Sequence, residues 1–115
     1  MGGVSVGPII FSDPIARGQL EDEGEVVTFR TSDRTVGSTW WRESRTGPKR
    51  GDVVVERIGS VDAADADALE PYRHLSGFET VTAWQRAIEE LNGEVGEGFL
   101  FRTSTSQTTV EGWST

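Results

Sequence analysis

The sequence predicts a single α+β domain. The chain has 115 residues, enough to bury one core without covalent staples. Short β-branched and aromatic runs at 25–31, 53–58 and 98–102 read as strands. One stretch, 80–91, carries its apolar residues at helical spacing.

The elements follow in order. Residues 4–11 predict a strand, broken or edged at Gly7-Pro8. Ser12 or Asp13 then caps a short helix that begins at Pro14, where a missing N–H costs nothing, and holds Ile15, Ala16 and Leu20. The acidic run Glu21-Asp22-Glu23-Gly24 reads as a solvated turn. Residues 25–31 alternate as a strand, with Val27 and Phe29 on one face and Val26, Thr28 and Arg30 on the other. Residues 32–50 contain Gly37, Gly47 and Pro48 without a sustained period, which predicts a long loop with at most one helical turn around Trp40.

Gly51-Asp52 turns into a core strand at 53–58, and an acidic, Ala-rich connection leads to a helical turn holding Leu69, Tyr72 and Leu75. Asp65 or Asp67 is its candidate cap, and Gly77 ends it. In the helix at 80–91, Val81, Trp84, Ile88 and Leu91 form one apolar stripe. Thr82 with Gln85 offers a capping box, Thr80 is a competing cap, and Asn92-Gly93 stops the helix. The last strand is 98–102, and the Ser/Thr-rich segment 103–115, anchored only by Val110 and Trp113, reads as a weakly ordered tail.

Nineteen acids face eleven bases, a net charge of −8, and Lys49 is the single lysine among ten arginines. Such a composition looks like that of a halophilic protein, whose carboxylates keep the surface hydrated where salt screens their repulsion. A GC-rich genome that favours Arg over Lys is the alternative. With no cysteine there is neither a disulfide framework nor a thiolate metal site. His74 is the one histidine, and such a residue more often packs or caps at a turn than catalyses. No apolar run has membrane-spanning length, and the N-terminus lacks the charged start and apolar stretch of a signal peptide. The expectation is a cytoplasmic monomer without metal or cofactor.

Charge is unevenly placed. Between Arg30 and Arg50 lie six bases (Arg30, Arg34, Arg42, Arg45, Lys49, Arg50) against Asp33 and Glu43, a local +4 that leaves −12 for the rest. Trp40-Trp41 sits at its centre. An exposed Trp can stack an unpaired base while guanidiniums hold phosphates. Adjacent residues of an extended chain point opposite ways, so one Trp faces inward and one outward. Arg30 suits either an anionic ligand or a buried ion pair.

Three pieces, in order, carry a family likeness: Thr28-Phe29-Arg30, Gly51-Asp52-Val53-Val54, and Leu75-Ser76-Gly77-Phe78 with the helix through Trp84 and Ile88. Together they resemble an ASCH domain, over roughly residues 5–102. That resemblance implies a PUA-like β-barrel with helices packed against it and a cleft between them for RNA or a nucleotide. Some members are amidohydrolases that deacetylate acetylcytidine with a Lys, a Thr and a Glu. Thr28 matches that Thr and Arg30 the Arg that follows it; the Lys falls on Glu25, and the Glu falls near Ser76 or Gly77, with Glu79 offset. The commoner Gly, Lys and Glu of the family fall on Glu23, Glu25 and Thr28. A Thr hydroxyl needs a neighbouring base to become a nucleophile.

The expected function is therefore binding of RNA or a nucleotide-like molecule through Arg30, Arg34, Trp40, Trp41, Arg42, Arg45, Lys49 and Arg50. The first alternative is an amidohydrolase on acylated nucleosides with Thr28 as its catalytic residue. The second is a protein-interaction module that uses the exposed Trp.

Overall fold

The first helix shows how local chemistry sets the frame. In the computed structural model, which describes residues 7–105, α1 (Pro14–Glu23) starts where the Asp13 carboxylate accepts from Ile15 N at 2.9 Å. It ends at Gly24, whose φ of 81° lets its N–H reach the Leu20 carbonyl. Glu21, Asp22 and Glu23 thus form the exposed last turn of a helix rather than a turn outside it. Acids at a helix C-terminus oppose the macrodipole, which is why the sequence pointed the other way. Burial of Ala16 and Leu20 and an ion pair from Arg50 to Glu21 offset this.

Five strands follow the order β1-β3-β4-β5-β2 and curl into a half-barrel. They are β1 (Ile9–Ile10), β2 (Glu25–Arg30), β3 (Gly37–Arg42), β4 (Gly51–Asp62) and β5 (Glu97–Thr105). Only the β1–β3 pair is parallel. The two edge strands meet across an open seam, where Arg30 Nη2 donates to the Ile10 carbonyl at 3.2 Å.

Three expectations need correction. Of the predicted first strand only Ile9–Ile10 pairs, and residues 4–6 lie outside the described residues. The predicted long loop contains β3, with Trp40 opposite Asp52 and Trp41 opposite Gly51, and no helical turn at Trp40. Trp-Trp flanked by polar residues hides its alternation, because only Trp41 faces the core. Finally, β5 runs to Thr105, and Thr103 is fully buried between Val26 and Val55, so residues 103–105 belong to the sheet. Val110 and Trp113 lie outside the described residues.

Two apolar clusters occupy opposite faces of the sheet, since neighbouring residues such as Val26 and Val27, or Leu100 and Phe101, belong to different ones. The first gathers Phe11, Ala16, Leu20, Trp41, Val53, Val55 and Phe101 under α1. Phe11 meets Trp41 edge-on at 5.8 Å, an arrangement that adds about 0.5–1.5 kcal/mol beyond burial. The second lies under α2 (Ala66–Leu69), a 3-10 turn (Glu70–Leu75) and α3 (Val81–Asn92). Long β4 serves both clusters: Ile58 faces the second by alternation from Val53 and Val55, and the register shift between Arg57 and Gly59 brings Val61 to that face as well.

Asp65 caps α2, as one of its two candidates. For α3 the cap is Thr80, accepting from Ala83 N at 3.0 Å. Gln85 instead donates to the Ala63 carbonyl at 2.8 Å, so the alternative box does not form. Val81, Trp84 and Ile88 are buried as the stripe predicts, but Leu91 is 63% exposed. Among the described residues no helix is long and apolar enough to cross a membrane.

Candidate functional site

A cleft opens at the seam, where the chain between β1 and α1, the end of β2 and the inner face of α3 converge. It encloses about 90 Å³ and is lined by Phe11, Phe29, Phe78, Trp84 and Ile88, together with Thr28 and Arg30. Two shallower grooves continue from it. One runs past Arg30, Thr31, Ser32 and Arg34; the other passes Ile15, Arg86 and Glu90. Ser12 and Leu91 border all three, so the exposed end of the α3 stripe is a wall of the opening.

Each wall is held in place locally. Ser76 Oγ donates to the Arg73 carbonyl at 2.7 Å and accepts from Phe78 N at 3.0 Å. Arg73 Nη1 donates to the carbonyls of Phe78 and Glu79, both at 3.2 Å. These bonds fix Phe78 against the cleft just before α3 begins. Arg17 Nη1 holds the opposite wall by donating to the Phe11 carbonyl at 3.1 Å. Behind β2, Gly98 of β5 leaves no room for a side chain: a Cβ would stand 2.4 Å from Phe29 Cζ and 2.5 Å from the Arg30 carbonyl.

Within this apolar cleft two polar atoms have no partner, Thr28 Oγ1 and Arg30 Nε. An unpaired buried polar group costs about 1–3 kcal/mol, and these two lie on the same face of one strand; Arg42 Nε and Thr103 Oγ1, outside the cleft, are also unpaired. Arg30 also lies over the Phe11 ring at 5.4 Å. Burial, and then the neighbouring Arg34 charge, lowers its pKa to about 10; burial lowers that of Arg34 as well. Arg30 is therefore charged at neutral pH but short of charge compensation.

The sequence-predicted residues do not form one surface. Arg30 and Arg34 line the same groove. Trp41 is 4% exposed and belongs to the first cluster, which removes it from any stacking surface. Trp40 projects from the other face of β3 with Arg42 stacked over it at 5.3 Å. Arg50 pairs with Glu21 and Glu43 and covers Trp41, and Lys49 pairs with Asp52 at 2.8 Å. Arg45 is exposed between β3 and β4. Among the described residues, the part of the cationic window without an ion pair is thus Arg30, Arg34, Arg42 and Arg45.

Glu25, the position that replaces a lysine, pairs with Arg102 at 2.6 Å. It faces the opposite side of β2 from Thr28 by strand alternation. With Thr28 Oγ1 unpartnered, no base stands ready to take its proton. His74 is exposed outside the cleft. No group of three or more His, Asp or Glu side chains converges among the described residues. Sequence reasoning had singled out Thr28 and Arg30 but not Phe11, Phe29, Phe78 or Leu91. Leu91 carried a readable signal, since it ends the helical stripe beside the Asn92-Gly93 stop.

Fold and site together define a small α+β half-barrel with an aromatic cleft at its seam. No protein-family model matches the chain, and comparison with curated proteins and with solved structures gave no match.

Proposed function

We propose that this chain is a binding domain for a nucleotide-like molecule or an unpaired nucleotide of RNA, held in the seam cleft. The observation that carries the reading is the pair of unsatisfied buried groups, Thr28 Oγ1 and Arg30 Nε, set among Phe11, Phe29, Phe78 and Trp84. A planar heteroaromatic ring fits that chemistry: its faces meet aromatic and aliphatic side chains, and its edge offers acceptors and donors to a hydroxyl and a guanidinium. The enclosed space suits one ring, with the rest of the molecule in the adjoining grooves.

The resemblance to ASCH domains supports the same reading. Thr28 and Arg30, which carry part of it, lie in the cleft, and the curled sheet with helices on it is compatible with a PUA-like barrel. Binding is favoured over acyl-nucleoside hydrolysis because Thr28 lacks a base. Trp40, Arg42 and Arg45 offer a second contact for a longer RNA strand.

Titration of the isotopically labelled chain with cytidine and with cytidine 5′-monophosphate tests the proposal. The expected result is chemical-shift change at Thr28, Phe78, Ala87 and Leu91. Unmoved signals at all four positions with both compounds, and with their adenine and uracil counterparts, would overturn it.

A further inference from the structure

Arg30 and Arg34 line one groove at the mouth of the cleft, with the exposed Thr31 and Ser32 between them. Among the described residues, five other bases (Lys49, Arg50, Arg57, Arg73 and Arg102) each have a carboxylate within 4.0 Å. Neither Arg30 nor Arg34 does, nor do Arg17, Arg42, Arg45 and Arg86, but of these six Arg30 and Arg34 line one groove. The one carboxylate in the groove, Asp33, is already occupied: its Oδ1 accepts from Arg57 Nε and from Arg34 N, each at 2.8 Å.

Carbonyls hold the two guanidiniums without neutralising them. Arg30 donates only to Ile10, while Arg34 donates from Nη2 to the Gly7 carbonyl at 2.7 Å and from Nε to the Thr35 carbonyl at 3.1 Å. A guanidinium has five N–H donors, so both keep some in hand, and Arg30 Nε is buried without a partner. Two oriented like charges beside exposed hydroxyls, with the groove's one acid paired to a third arginine, are an arrangement that can take up an anion bidentately.

We infer that the Arg30–Arg34 groove is an anion subsite that takes the phosphate monoester of a mononucleotide whose ring occupies the cleft. This rests on the reading of the cleft as a nucleotide site and adds the group that selects among nucleosides and nucleotides. Burial lowers the pKa of both arginines, with the Arg34 charge contributing at Arg30, as expected of neighbouring cations that no acid compensates.

The experiment compares cytidine, cytidine 5′-monophosphate, inorganic phosphate and a short single-stranded RNA without terminal phosphates, read by calorimetry and by the arginine Nε–H signals of the full chain. The monophosphate should bind about tenfold more tightly than cytidine, the factor one charge-assisted contact supplies. Arg34→Gln should bring that ratio near one, and Arg34→Lys should keep most of it. A ratio near one in the native chain, or a ratio that survives Arg34→Gln, overturns the subsite while nucleoside binding in the cleft still stands. If no nucleoside or nucleotide binds but inorganic phosphate shifts the Arg30 and Arg34 signals, the subsite stands and the nucleotide reading falls. RNA binding with the affinity of the monophosphate would move the selected group from a monoester to the backbone diester and overturn the inference as stated.

Discussion

Arg30 reaches across the seam of the sheet to the Ile10 carbonyl, joining two edge strands that share no ladder hydrogen bond. One side chain therefore closes the half-barrel and lines its cleft. Replacing it with Ala removes a charge-assisted bond and the contact over Phe11, while also removing a desolvated charge. The net loss should be about 1–2 kcal/mol in chemical unfolding. Amide exchange at Phe11, whose N–H donates to the Arg42 carbonyl, should rise with it. Unchanged exchange there would mean that the seam closes without Arg30.

Thr28→Val separates stability from binding. Its hydroxyl is buried and unsatisfied, so an isosteric apolar side chain should leave the protein as stable or up to about 1 kcal/mol more stable. Ligand affinity in the cleft should fall in the same variant. A clear loss of stability would show that the hydroxyl has a partner within the folded chain.

Gly98→Ala should be costly for a reason remote from β5 itself. The new methyl group would overlap Phe29 and the Arg30 carbonyl. Overpacking of this kind costs about 1–3 kcal/mol, and here it also displaces two cleft residues. Thermal unfolding and nucleotide titration should both register the change, whereas a merely local strain would lower stability alone.

The two adjacent tryptophans should behave differently. Trp41→Ala removes a buried ring from the first cluster and should cost about 3–5 kcal/mol. Trp40→Ala removes a half-buried ring and should cost far less, without altering mononucleotide binding. For longer single-stranded RNA, charge reversal at Arg42 and Arg45 should weaken binding and flatten its salt dependence. Equal affinity in that double variant would take the β3 face out of the RNA contact.

The lowered pKa of Arg30 predicts a pH dependence whose sign differs from that of a salt-bridged base. Above about pH 10 and up to the ordinary arginine range the unfolded chain holds this proton more tightly than the folded one, so the contribution of Arg30 to stability rises with pH. Anion binding runs the other way, because it needs the charged form. Stabilisation by sulfate should be constant from neutral pH upward and decline as pH passes about 10. Arg30→Gln should lessen that decline, leaving the part that Arg34 contributes, as measured by thermal unfolding at fixed ionic strength.

Much of the local structure was legible in the sequence because it is encoded locally. Asp13-Pro14 starts α1, and Gly24 and Gly93 stop helices through left-handed conformations. Val81, Trp84 and Ile88 sit at a spacing that only a helix brings to one face. Thr28 and Arg30 could be picked out on a single strand face by alternation alone. Their role could not, since it depends on α3 and on the chain between β1 and α1 closing over them.

What tertiary structure alone decided is which charges are left over. The sequence determined a cationic window between Arg30 and Arg50, and it fixed that one of Trp40 and Trp41 must face inward on an extended chain. It could not show that Glu21, distant in sequence, would join Glu43 in pairing with Arg50, or that Asp33 would turn to Arg57. Ion pairing and burial depend on distances across the fold, not along the chain. Only when the sheet curled and brought Ile10 beside Arg30 did that base line a cleft with a buried donor left unsatisfied, and Arg34 the groove beside it.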